Sequence, residues 1–150
     1  MSSAAMKLEC ETKFKQDLFS ANLEDGSTFI GTTTELISSS TPGRGDIWVI
    51  IATDRTDYTK TITITVSKNV TDTIGKITED DEEVSLFYNN YINIGNPTFQ
   101  AATSGTIQYT LDIESATFVG SFNAQIKKSD GNGTYLCTGH FNTSLIFTPS

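Results

Sequence analysis

From residue 106 to residue 147 the chain alternates apolar and polar residues, and no other pattern in it restricts the fold as much. In residues 106–113, Ile107, Tyr109, Leu111 and Ile113 fall on one face against Thr106, Gln108, Thr110 and Asp112. Residues 117–126 set Phe118, Phe122, Ala124 and Ile126 against Thr117, Ser121, Asn123 and Gln125. Residues 134–147 set Tyr135, Cys137, Phe141, Leu145 and Phe147 against Thr138, His140, Asn142 and Ser144. Successive side chains of a strand point to opposite faces, so each segment carries one oily and one wet face. The connections, Glu114-Ser115 and residues 129–133, are short and rich in turn formers. The pattern predicts a three-stranded antiparallel meander that must bury its oily face against another layer.

The same period runs upstream, and no segment has a convincing amphipathic helical pattern. Phe19 to Leu23 and Ser27 to Ile30 flank Glu24-Asp25-Gly26, which reads as a hairpin because Gly26 accepts positive φ. Residues 46–52 are apolar at nearly every position, as in a strand covered on both faces. Residues 60–66 place Ile62, Ile64 and Val66 opposite Thr61, Thr63 and Thr65, and residues 84–92 form a further aromatic-rich strand. The expected fold is all-β: a single antiparallel β-sandwich or small β-barrel of about 8–9 strands ending in the meander. Residues 1–12 are expected to be an extended N-terminal arm and residues 13–150 the domain. Periodicity does not choose between sandwich and barrel.

Phe19, Ala21 and Phe29 in the first hairpin, with the late pairs Gly120-x-Phe122 and Gly139-x-Phe141, resemble the motifs of small β-domains from Bacteroidetes-type bacterial envelopes. Those domains are often lipid-anchored. The resemblance implies a β-fold and a secreted or envelope location, and it brings no assigned chemistry. The segment MSSAAMKLECETKFKQD lacks the apolar core of a signal peptide, so this location requires a leader ahead of Met1.

Eighteen acidic against ten basic residues give a net charge of −8. Such a surface repels phosphate backbones and anionic headgroups, and no stretch is apolar enough to span a bilayer as a helix. We therefore expect no nucleic-acid partner and no membrane insertion. Cys10 and Cys137 are candidates for a disulfide joining the terminal strands, with two separate buried thiols as the alternative. Sequons occur at Asn69, Asn132 and Asn142.

Catalytic constellations are hard to assemble from these residues. His140 is the only histidine, and its odd separation from Cys137 puts the two on opposite faces of a regular strand. The acidic run of residues 79–83 lacks the glycine-turned spacing of a calcium loop and reads as a solvated loop, while Asp130 sits alone in a hairpin turn. Among Asp54, Asp57, Asp112 and Glu114 nothing singles out a catalytic pair. Thr59, Thr61, Thr63 and Thr65 read as a solvent-facing row. Arg44-Gly45-Asp46 spells an integrin tripeptide, but residues 38–45 are dense in turn formers and read as a loop shaped for folding. No cofactor is expected. The function expected is a non-enzymatic, secreted or envelope-associated binding or scaffold domain. Tyr88, Asn89, Asn90 and Tyr91 are its candidate contacts for a protein or a glycan. The alternative is a structural subunit of a phage or filament that self-associates by strand or arm exchange.

Overall fold

The structure is a computed structural model and describes residues 18–68, 73–80 and 83–148. Among these residues there are eleven strands and no helix. They are β1 (Leu18–Asn22), β2 (Thr28–Gly31), β3 (Thr33–Thr41), β4 (Gly45–Asp54), β5 (Lys60–Ser67) and β6 (Ile74–Thr78). There follow β7 (Val84–Asn90), β8 (Thr98–Asp112), β9 (Thr117–Lys127), β10 (Thr134–Ser144) and β11 (Ile146–Thr148). All belong to one mixed sheet, in the order β11-β3-β4-β5-β7-β6-β8-β9-β10-β1-β2, curled into a half-barrel.

The meander β8-β9-β10 lies where alternation placed it as far as Ser144, with Phe122 opposite Gly139 and Phe141 opposite Gly120. The strand expected to run to residue 147 ends there, and Phe147, expected on its oily face, lies in β11 and is exposed. Three further features depart from the expectation. The sheet is not purely antiparallel, because β11 runs parallel to β3 and β6 meets β7 in parallel at Ile77 and Val84. Residues 38–41, read as loop, are the end of β3, paired from Ser38–Trp48 to Thr41–Gly45. Ser and Thr are compatible with a paired edge strand, and only Pro42 to Arg44 remain as the turn. The Thr row does not face solvent throughout: Thr61 and Thr63 are half-buried, and Thr65 is buried under Arg44 and Ser85. The expected arm, Cys10 and Asn69 lie outside the described residues.

The core is a checkerboard of large and small side chains across five strands. One inward row reads Gly31, Phe19, Phe141, Gly120, Tyr109, and the next reads Phe29, Ala21, Gly139, Phe122, Ile107. Each ring therefore lies over a small neighbour, which is how facing layers fill space without strain. Phe118 stacks on Phe141 at 4.1 Å between centroids, and Phe141 on Phe19 at 5.4 Å. Pairs of this kind add about 0.5–1.5 kcal/mol each beyond the area they bury. Gly139 gives the ring of Phe122 its place, since a Cβ there would stand 2.2 Å from Phe122 Cε2. At Gly120, φ is +159° and a Cβ would lie 2.0 Å from the Gln108 carbonyl oxygen, so only glycine lets β9 bend this close to β8.

The curl brings distant strands together. β3 follows β2 after one residue and β11 follows β10 after one residue, so both chains cross from one end of the strand order to the other. Where β2 reaches β4, the outward N–H of Ile30 is met by Asp54 Oδ2 at 2.8 Å. A buried carboxylate at this seam thus takes up an N–H on the edge of β2 that would otherwise stay bare.

Candidate functional site

Each apolar run that lines the interior ends, at the same end of the half-barrel, in a polar residue on the same face. Asp54 lies opposite Lys60, Lys60 opposite Asn90, and Asn90 opposite Thr98. One layer deeper, Tyr88 lies opposite Gln100. The result is a polar rim above an apolar core, with Asp54 1 % and Lys60 7 % exposed.

Such burial requires pairing. Asp54 Oδ2 accepts from Ile30 N, Asp54 Oδ1 accepts from Thr56 N at 2.8 Å, and Lys60 Nζ stands 3.8 Å from Oδ2. Burial pushes the Asp54 carboxyl up, but the hydrogen bonds from Ile30 and Thr56 and the charge of Lys60 outweigh it and hold the group below the usual carboxylate range. The β4–β5 turn, with Asp57 at φ +64°, brings Tyr58 over the rim, its ring centroid 4.6 Å from Lys60 Nζ. Asn90 Nδ2 donates to Tyr58 Oη at 3.3 Å, and Asn90 Oδ1 accepts from Ile92 N at 2.9 Å.

The β1–β2 hairpin forms the opposite wall. Glu24 Oε1 accepts from Ser129 N at 2.9 Å and Gln100 Nε2 at 3.2 Å, while Oε2 accepts from Ser129 Oγ at 3.1 Å. Asp25 turns back on Ser27, whose hydroxyl and N–H hold its carboxyl below the usual range. Between the walls is a cavity of about 310 Å3, lined also by Leu23, Tyr88, Ile92 and Thr98. Burial, then the neighbouring Tyr58, pushes the Tyr88 phenol well up, so it stays neutral. Thr98 Oγ1 and, deeper in the same end, Tyr135 Oη are buried without a hydrogen-bond partner. A buried polar atom left unpaired in a native fold calls for a physical account.

Of the four contacts expected from sequence, Tyr88 and Asn90 reach this cavity. Asn89 faces the other way, between Thr61 and Phe99, and Tyr91 lies past the strand end. Sequence reading missed Tyr58, Thr98, Gln100 and the Asp54–Lys60 pair. Extending the alternation of Ile62, Ile64 and Val66 back by one step identifies Lys60 as an inward residue.

The other candidates stay apart. Cys137 is a buried free thiol pushed up to about 12 by burial, and His140 is exposed on the opposite face. Cys10, the other half of the expected pair, lies outside the described residues. From the acidic run, Glu79 pairs with Lys127 and Glu83 accepts from Lys76 N at 2.9 Å. Asp130 Oδ1 accepts from Asn132 N within its own turn. Among the described residues no three His, Cys, Asp or Glu side chains gather in a way that could hold a metal ion. A larger concavity of about 550 Å3 lies beneath the β3–β4 turn. There Arg44 donates to Thr65 Oγ1 at 2.7 Å and to the Glu83 carbonyl at 2.6 Å, so the arginine of the tripeptide anchors its hairpin to the sheet. The rim is the stronger site because it gathers polar groups from five segments around an open volume, with Asp54, Lys60 and Gln100 among them buried. Comparison with known proteins returned no matching family model, no matching curated protein and no matching solved structure.

Proposed function

We propose that the protein is a non-enzymatic binding domain, secreted or envelope-associated, that takes a small polar ligand at the rim formed by Tyr58, Tyr88, Asn90, Thr98 and Gln100. The observation that carries the reading is an open cavity whose wall includes Thr98, its Oγ1 buried and unpartnered, beside Tyr88, Asn90 and Gln100. Binding sites are commonly concave, with a few oriented polar groups, and the mouths of β-barrels are a frequent place for them. The proposal includes closure of the sheet into a barrel, for which the parallel β11–β3 pairing and the Asp54 seam argue. The test is a thermal-shift screen of neutral and charged polar compounds, sugars and short peptides against the wild type and Thr98→Trp, which fills the cavity. Compounds that raise the melting temperature of the wild type alone support the reading. A screen without hits, or hits shared equally by Thr98→Trp, would sink it.

A second reading, a structural subunit that self-associates by strand exchange, is favoured by one edge. Among the described residues β11 pairs with β3 only from Glu35 to Ile37, and no other strand pairs with residues 38–41 on that side of β3. Sedimentation velocity over a wide concentration range tests this. Concentration-dependent growth abolished by Ser40→Pro supports assembly, and a monomer throughout removes it.

A further inference from the structure

We infer that the rim cavity is a site for a neutral pyranose ring, which rests on the binding reading above and narrows its ligand class. Charge is the first argument. Asp54 and Lys60 neutralise each other at 3.8 Å, both oxygens of Glu24 are occupied by Ser129 and Gln100, and Asp25 is held by Ser27. A charged ligand that competed for Asp54 or Lys60 would leave the other buried without its counter-charge. An anion also meets two carboxylates in the wall, Glu24 and Asp25. One face of the Tyr58 ring already carries Lys60 Nζ, whose charge repels a second cation there.

Hydrogen-bonding capacity is the second. Thr98 Oγ1 has both donor and acceptor capacity unspent. The Tyr58 hydroxyl accepts from Asn90 Nδ2 and keeps its own proton to donate. Groups of this kind suit a ligand whose atoms also donate and accept at once, which is the property of a sugar hydroxyl. Shape is the third. Leu23, Ile92 and the Tyr58 ring supply an apolar wall beside these groups, matching the C–H face of a pyranose. A volume of about 310 Å3 is near the small end for ligand cavities and suits one ring.

The experiment is a two-dimensional NMR titration of the full chain with methyl β-D-glucopyranoside, methyl β-D-galactopyranoside and methyl α-D-mannopyranoside. Glucuronate and glucosamine serve as charged counterparts, and cellotriose and maltotriose as chain forms. At least one neutral glycoside should shift the amides of Tyr58, Asn90 and Thr98, with a dissociation constant on the order of millimolar for a ligand this small. Thr98→Val keeps the shape and should weaken binding about 5- to 10-fold. Tyr58→Leu, on a partly exposed loop, should weaken it by a similar factor, while His140→Gln on the outer face should leave it unchanged. A trisaccharide more than about tenfold tighter than its glycoside would identify a glycan chain as the source of the ring. If only glucuronate or glucosamine moves the rim amides, the rim is a binding site and the pyranose inference is overturned. If no probe moves them, or if both variants bind as the wild type does, the site itself is wrong.

Discussion

Replacing Asp54 with Asn tests the seam that joins the two halves of the strand order. The substitution keeps the size of the side chain and one carbonyl oxygen. It turns the other oxygen into a donor, facing the N–H of either Ile30 or Thr56, each of which now donates to Asp54 at 2.8 Å. One buried donor is left unsatisfied, a loss of about 1–3 kcal/mol. Lys60, only 7 % exposed, also loses its counter-charge. Breaking a buried pair from one side typically costs about 3–5 kcal/mol. Lys60 keeps the Thr56 carbonyl at 3.3 Å and the Tyr58 ring, so we expect a total near the low end, about 3 kcal/mol. With a urea slope of about 1–3 kcal/mol/M, the unfolding midpoint should fall by about 1–3 M, read from Trp48 fluorescence. The double variant Asp54→Asn/Lys60→Met should recover part of the loss, because it removes the stranded ammonium. The carboxyl is held below its unfolded value, so its contribution is complete above about pH 4 and drains away as pH falls through the folded value. The single variant should therefore lose less stability than the wild type over that acid range. A midpoint shift below about 0.5 M, or identical acid profiles, would refute the reasoning.

Gly139→Ala should destabilise by about 1–3 kcal/mol in the same urea assay, because its Cβ would overlap the Phe122 ring; a neutral result would mean that the ring moves freely. Phe141→Ala should cost about 3–5 kcal/mol, since it removes the ring between Phe118 and Phe19. Cys137 should resist iodoacetamide in the native protein at pH 8 and react at the rate of unfolding, its thiol being buried and pushed up to about 12; rapid native labelling would contradict this. Arg44→Ala should lower the melting temperature by freeing the β3–β4 turn from Thr65 and Glu83. Attachment of integrin-bearing cells to the wild type, lost in Asp46→Glu at unchanged stability, would show that the tripeptide is read as a ligand after all.

Strands whose two faces differ were legible. The alternation around Phe118, Phe122, Phe141 and Ile62 named their buried faces correctly, because an oily face has only one place to go. Strands whose faces are alike were not. β3 is two-thirds Ser and Thr, so its pairing comes from the β4 backbone beside it, a partner that composition does not announce. β6 is held between β7 and β8, and two long strands must diverge before a gap exists for it. The Gly-x-Phe pairs were visible as a motif, but their meaning, a ring of each strand lying over the glycine of the other, needed the register. The rim was half legible: Tyr88 and Asn90 stand together in sequence, whereas Thr98 joins them through the β7–β8 pairing, Tyr58 through the β4–β5 turn and Glu24 only through the curl. Asp54 was visible as one acid among four, and burial is what sets it apart.

The position of β1 has a consequence in time. It sits between β2 and β10, with Leu18 opposite Asn142 and Ala21 opposite Gly139. During synthesis β1 emerges early, yet one of its two edges stays open until the chain has grown past β10. Until then Phe19 and Phe29 have each other, but not the rings of Phe122 and Phe141. The entropy of closing so long a loop is spent before these contacts repay it, so such a topology folds slowly. A nascent chain of this protein therefore carries a sticky, half-paired hairpin until β10 has been made, a window in which chaperones or a neighbouring nascent chain compete with β10 for it.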